Sequence, residues 1–289
     1  MSSSISTDVA VQLFPASAFS IEQLTQAYNQ TRVDYLVPMP MNATRLAEYV
    51  QVYDVALQHS TVAMSAGQML GLGMLGVRAG RVWITRLGVL PTQRRHGIGD
   101  MLMCALLKQS QNIGIDFTIL EVIKDNMPAF KLFSKLGFHA TRELLILRRP
   151  PGPSPTAPIG EGQWLDQLEV LKRLEHYPTP RAWTNEQESL RNADNVLGLS
   201  VTLPDGGCGT LVFQRQKFIL ARLLLLTEQG DPALVGRALF AKLYQCYPDL
   251  DTHVENIPLD DPHLPAFLES GFVESFRRIE MQRRANGHI

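Results

Sequence analysis

Two hydrophobic periods share this chain. Residues 43–58 carry Leu46, Tyr49, Val50, Tyr53 and Leu57 at helical spacing, so one helix face is apolar. Asn42 is placed to cap that helix, and residues 21–30 predict another before it. Residues 34–41, from Asp34 and Tyr35 through Pro38 and Pro40, are too proline-broken to join the two. A first strand is expected over residues 9–14, and the apolar runs 60–64, 69–77 and 81–89 read as three successive strands separated by turns. A helix over 100–111, a strand over 117–123, a helix over 127–136 and a strand over 143–149 follow.

Residues 150–158 hold proline at 150, 151, 153, 155 and 158, a density that favours an extended, stiff connector and marks a domain boundary. Beyond it the chain repeats itself. One constant spacing pairs Glu121 with Glu255, Phe133 with Phe267, and Gly137-Phe138 with Gly271-Phe272. Strands over 196–203, 209–213 and 218–226 and a helix over 233–244 would fill the second copy.

The chemistry is concentrated at residues 94–99, Arg94-Arg95-His96-Gly97-Ile98-Gly99, between the strand ending at Val89 and the helix that follows. A strand, a glycine-punctuated basic turn and a helix start make an anion cradle. Exposed N–H groups and the helix dipole favour negative charge, and glycines let a phosphate approach the backbone. No Gly-Lys-Ser/Thr closes the turn, and it is not the Gly-x-Gly-x-x-Gly dinucleotide turn. Asp100 is placed to cap the helix or begin it.

With this Arg-x-x-Gly-x-Gly spacing the chain resembles the GNAT superfamily of acyl-CoA-dependent N-acyltransferases. Upstream, Thr85-Arg86-Leu87-Gly88-Val89-Leu90-Pro91 is similar to the family's strand that enters the loop. Downstream, Leu120-Glu121-Val122 is similar to its next strand, and Asn126, Ala129, Leu132, Phe133, Lys135, Gly137 and Phe138 to its following helix and turn. The resemblance covers residues 80–150. It implies an α/β fold, a mixed sheet flanked by helices, in two tandem GNAT-like acyltransferase domains. Residues 1–150 would bind acetyl-CoA and catalyse, 151–162 would link, and 163–289 would be degenerate. The second copy's junction, residues 227–233, has no basic residue, one glycine and the carboxylates Glu228 and Asp231; Asp260 stands where Asn126 stands in the first.

The resemblance also implies roles. Leu87 and Val89 would offer backbone groups to the pantetheine arm in a cleft where two parallel strands part. Arg94, Arg95, His96, Gly97, Ile98 and Gly99 would hold the pyrophosphate, with His96 contributing backbone. Asn126, Ala129 and Phe133 would line the other side. The family's tyrosine that protonates the leaving thiolate is Phe133 here and has no proton to give, so Tyr35 and Tyr53 come into view as substitutes. Glu121 interrupts an apolar strand and is the candidate base, or else pairs structurally with an arginine such as Arg86. Asp34 and Tyr35 fall where the family places acceptor residues, or in an ordinary loop. The expected activity is acyl transfer to a small-molecule or peptide amine. The alternative is an acyl-CoA-binding regulatory or scaffold protein with little turnover.

Composition changes this picture little. A formal charge of −1 gives no field to draw nucleic acid or an anionic membrane. Cys104, Cys208 and Cys246 make no metal-type pair and no even framework, which suits a reducing cytoplasm. Cys104, in an apolar helix run, is expected to be buried. The histidines show no ligand spacing, so no metal is expected. A soluble monomer or homodimer is expected, and the apolar runs are too short to span a bilayer.

Overall fold

The computed structural model describes residues 10–176 and 181–285. The chain runs β1 (Gln12–Pro15), α1 (Ile21–Gln30), α2 (Ala43–Val52), β2 (Thr61–Ser65), β3 (Gln68–Arg78), β4 (Arg81–Val89), α3 (Ile98–Asn112), β5 (Phe117–Ile123), α4 (Met127–Lys135) and β6 (His139–Arg149). The same order then recurs: β7 (Glu161–Leu165), α5 (Gln167–Glu175), α6 (Gln187–Asn192), β8 (Val196–Thr202), β9 (Cys208–Arg215), β10 (Ile219–Gln229), α7 (Pro232–Cys246), β11 (Asp251–Pro258), α8 (Leu264–Glu269) and β12 (Val273–Arg284). The repeat seen in residue identities is thus a repeat of elements, and α3 and α7 even share a length of 15 residues.

Local signals set the helix starts. Ser20 and Gln23 close a capping box on α1, and Asn42 accepts the Arg45 N–H at the start of α2. Four expectations shift. Val9 lies outside the described residues, and β1 begins at Gln12. α2 stops at Val52, not at 58, because Asp54 turns left-handed (φ 54°) and Val55 bridges to Gly76 of β3. α3 begins at Ile98 with Gly97 as its N-cap, so Asp100 is a first-turn residue; its carboxylate pairs with Lys135 at 2.9 Å. Cys104, expected in the core, is exposed on α3.

The residues fall into two compact units. The first comprises Met1–Val122, Asn126–Ala140 and Met281–Ile289. Its strands run β1-β2-β3-β4-β5 and then the end of β12, with β1 to β4 antiparallel to their neighbours and β4 parallel to β5. Leu72, Met74, Leu102 and Leu106 are fully buried where α3 covers the sheet. The second unit comprises Ile123–Asp125 and Thr141–Glu280, with strand order β12-β6-β11-β10-β9-β8-β7. Phe240, Phe267 and Phe272 cluster in its core, with ring centroids 5.0–5.1 Å apart.

Each half's last strand therefore serves the other half's unit. β6 pairs with β11 (Val254↔Leu147), and Ala285 donates to the Asp116 carbonyl at 2.9 Å. The proline-rich residues 150–158 lie inside the second unit. They fold around Arg149, which donates to the carbonyls of Pro150, Gly152, Pro153 and Ser270 and stacks 3.6 Å from the Tyr244 ring centroid.

Candidate functional site

The site begins where a strand loses a partner. β4 and β5 pair in parallel at Val82↔Thr118, Trp83↔Ile119 and Ile84↔Leu120, and the register ends there. β4 runs on to Val89, still paired on its other edge with β3 through Leu72↔Gly88 and Gly71↔Val89. At the divergence Arg86 takes a left-handed φ of 53° and the β3–β4 register shifts, a bulge that turns the strand. Past it, Leu87 and Val89 present carbonyls on the edge that β5 has left, as the alternation of a strand requires.

The loop after β4 turns sharply into α3. Arg95 and Gly97 both have positive φ, 66° and 80°, and residues 95–97 are exposed. Met101 is the first residue of α3 to donate to a carbonyl of its own turn, on Gly97, so the N–H groups of Ile98, Gly99 and Asp100 have no acceptor within their helix. A Cβ added at Gly97 would meet open space. Gly99 faces Leu132 of α4, whose side chain a Cβ there would approach to 3.3 Å. These groups suit a phosphate, and the edge of β4 suits an amide-bearing chain, so the residues present fit the donor that the family resemblance implies.

Residues 31–35 cross this edge. Arg32 donates to the Leu87 carbonyl from both terminal nitrogens at 3.3 and 3.4 Å, and its guanidinium lies 4.5 and 4.8 Å from the Tyr28 and Tyr35 ring centroids. Arg94, expected on a phosphate, holds Asp34 with a bidentate grip at 2.7 and 2.8 Å. It also donates to the carbonyls of Thr31 at 3.1 Å and Val89 at 3.3 Å. The hydrogen bonds from Arg94 hold the Asp34 carboxyl below its ordinary value. Tyr35 accepts from the Asn126 amide at 3.3 Å. Asn126 also caps α4 by accepting the Ala129 N–H. Gly88 is what lets α1 end so close, because a Cβ there would stand 2.3 Å from the Thr31 hydroxyl.

Glu121 follows the last β4–β5 pair, and its Oε2 accepts from the Trp83 indole at 2.8 Å. Beside it Tyr49, Tyr53 and Trp83 pack together, with the Tyr49 and Tyr53 centroids 4.7 Å apart. Tyr49 bonds Thr85 at 2.6 Å, and burial pushes its phenol well up. Arg86 stacks 4.1 Å from the Tyr49 centroid and donates to the Tyr28 hydroxyl. Glu121 and Arg86 thus flank one phenol with opposite charge. Phe133 is buried beside Phe138, a core position. Tyr53 is likewise buried, whereas Tyr35 is half-exposed. Sequence reasoning missed Thr31 and Arg32, whose partners lie more than fifty positions away and leave no local pattern.

The second unit lacks this arrangement for two physical reasons. Only Gly230 and Asp231 separate β10 from α7, where residues 90–97 separate β4 from α3. Asp231 caps α7 with its own carboxylate by accepting the Ala233 N–H, which sets a negative charge where an anion would enter. β10 and β11 pair only at Ile219↔Asp251 and Leu220↔Thr252, and buried residues fill the space beyond. Asn185 donates to the carbonyls of Glu255 and Asn256, while Trp183 and Thr184 are buried with it. Asp260, the position matching Asn126, caps nothing; His263 precedes α8.

Among the described residues no cluster of His, Cys, Asp or Glu could hold a metal ion, and no helix is long and apolar enough to cross a membrane.

Comparison with known proteins follows these lines. Residues 22–138 match the Acetyltransferase (GNAT) family. No curated protein matches the chain by sequence. Solved structures match nearly its whole length. A GCN5-related N-acetyltransferase from Sphaerobacter thermophilus gives a TM-score of 0.73 at 13% identity, covering 96% of this chain and 97% of that one. A tandem GNAT protein from the clavulanic acid biosynthesis pathway gives 0.68 at 14%, covering 97% and 100%. A GCN5-related N-acetyltransferase from Anabaena variabilis gives 0.59 at 14%, covering 96% and 73%. At such identities the likeness establishes the fold, a tandem GNAT fold.

Proposed function

We propose, on the match of residues 22–138 to the GNAT acetyltransferase family, that the first half of the chain transfers an acetyl or other short acyl group from CoA to an amine. The observation that carries this is the unpaired edge of β4 running into the αL-Gly97 turn and the open first turn of α3. The acceptor would be a small molecule or a peptide amine. The second half, with its cradle shortened and its cleft filled, would keep the fold without the chemistry.

CoA supplies an activated thioester carbonyl; the remaining needs fall on this chain. The N–H groups of Ile98, Gly99 and Asp100 hold the anion. The carbonyls of Leu87 and Val89 and the Asn126 amide align the arm, and most of the rate comes from holding two reactants in contact. The amine nitrogen forms the new C–N bond as the C–S bond breaks. Glu121, held by Trp83, accepts the amine's proton. Tyr35, a phenol beside Asn126, gives a proton to the departing sulfur in place of Phe133. Solvent returns the proton from Glu121 to Tyr35 for the next turnover.

The test is a calorimetric titration with acetyl-CoA followed by an amine screen. Wild type binds; Gly97→Glu, which sets a carboxylate in the open cradle, binds about tenfold more weakly or worse, because juxtaposed like charges cost several kcal/mol. Wild type and variant binding equally would remove the cradle from the site. Bound acetyl-CoA that no amine in the screen discharges would leave a binding protein instead of a transferase.

A further inference from the structure

Among the contacts of residues 31–35, three share one property: each occupies a group that the donor would need. Asp34 sets a carboxylate in the fork of Arg94, as a phosphate would. Arg32 sets N–H donors on the Leu87 carbonyl, as an amide of the arm would. Tyr35 sets an oxygen on the Asn126 amide. Arg94, so held, folds back and covers the Val89 carbonyl as well.

These contacts are also weak ones. Apart from the Asp34–Arg94 pair they are 3.3–3.4 Å long, at the outer edge of hydrogen bonding, and the bond from Arg94 to the Thr31 carbonyl is 3.1 Å. The Asp34–Arg94 pair is short but lies in solvent, with side chains 50% and 39% exposed, and exposed pairs contribute little. Past Thr31, which stays buried at the end of α1, Val33 and Leu36 are 75% and 58% exposed and add no apolar anchor. In the second unit the residues before α6 are packed in instead, with Trp183, Thr184 and Asn185 all buried.

We propose that residues 31–35 are an autoinhibitory strap that imitates the bound donor, with Asp34 standing for phosphate and Arg32 for an arm amide, and that acyl-CoA binds by displacing it. This rests on residues 94–99 being the donor cradle. The free protein is then mostly in a state that cannot bind, and measured affinity is lowered by the fraction with the strap released. Binding is ordered, donor first, because the strap leaves the edge of β4 only when the donor takes its place. The freed segment, still tethered at α1, carries Tyr35 into the cleft beside the arm.

Two measurements on the full chain test this. In calorimetry, Asp34→Asn keeps the shape of the strap and removes its clamp, and it binds acetyl-CoA about three- to fivefold more tightly than wild type. Asp100→Asn removes one negative charge from the first turn of α3 without touching the strap and separates release from simple charge; it gives less than half that gain. In hydrogen exchange on wild type, saturating acetyl-CoA makes amides 31–36 exchange faster while those of 97–101 slow. Equal or weaker binding by Asp34→Asn, an equal gain in Asp100→Asn, or slower exchange over 31–36 on binding would each overturn the strap while leaving the cradle. No binding by any of the three proteins would overturn strap and cradle together.

Discussion

Asp34 is the residue whose protonation says most about the site. Hydrogen bonds from Arg94 hold its carboxyl below the ordinary 3.8. A group whose folded value is depressed contributes stability that is present above its unfolded value and lost as pH falls through the folded one. The clamp is thus intact at neutral pH and opens only below that ordinary value. A carbon-detected NMR titration of Asp34 checks the sign: its midpoint falls below 3.8 in wild type and returns toward it in Arg94→Ala. A midpoint in wild type that Arg94→Ala does not raise would mean that the pair does not form in solution. Tyr35 and Glu121 are tested by turnover instead. Tyr35→Phe lowers kcat about a hundredfold while acetyl-CoA binds at least as tightly, the effect of losing a positioned proton donor. Glu121→Gln lowers kcat similarly, the effect of losing a positioned base. A Glu121→Gln enzyme of full activity would make the Trp83 contact purely architectural.

At the scale of elements, capping and chemistry meet in α4. Asn126 accepts the Ala129 N–H with its oxygen and donates to Tyr35 with its nitrogen, so one side chain starts a helix and faces the cleft. The two tasks separate by substitution. Asn126→Ala loses about 1 kcal/mol of stability with its cap and weakens acetyl-CoA binding. Asn126→Ser keeps the cap and the melting temperature but loses the amide donor, so binding weakens alone. Equal melting temperatures for Ala and wild type would show that the cap contributes nothing.

The elements were also where the sequence spoke most clearly. Amphipathic spacing and apolar runs placed α1, β3, β4, α3, β5 and α7 within a few residues, because these signals come from one short stretch and one buried face. The glycine turn after β4 was legible for the same reason, though not the left-handed φ of Gly97. α2 was read six residues too long, since Tyr53 and Leu57 keep the helical period while Asp54 turns the chain toward β3. What Arg94 holds could not be read: its partner Asp34 is sixty positions away, and a basic loop residue looks the same facing solvent, phosphate or carboxylate. Cys104 misled because an apolar helix run does not say which of its residues face out.

On the scale of the whole molecule, the duplication is more than two copies in series. Residues 281–289 of the second half complete the first unit, and residues 141–149 of the first half belong to the second. The same arginine serves both. Arg149 at the end of β6 donates to the Ser270 carbonyl after α8, and Arg283 at the end of β12 donates to the Leu136 carbonyl after α4, at 2.8 and 2.9 Å. Each closes a helix end whose carbonyls would otherwise lack partners. Gly137 and Gly271, both with positive φ, leave room for these guanidinium groups, whose Nε would stand 3.6 and 3.7 Å from an added Cβ. A cut in the proline-rich segment therefore does not yield an independent first domain, although composition alone suggests that it should. A fragment of residues 1–150 lacks the strand beside β5 and carries β6 with no β11 to pair with, leaving open sheet edges that invite aggregation. Expressed alone, it should aggregate or melt without a cooperative transition. A gentler test keeps the chain and ends it at Glu280. That truncation removes Arg283 and the Ala285 N–H bond to Asp116, both in the unit that holds the cradle. It should lower the melting temperature by several degrees, as about 1–2 kcal/mol does in a domain of this size, and weaken acetyl-CoA binding although none of the described residues removed lies in the cleft. If the 1–150 fragment folds cooperatively and binds acetyl-CoA with full affinity, the exchanged strands are dispensable, and the second half must be retained for some reason other than completing the first.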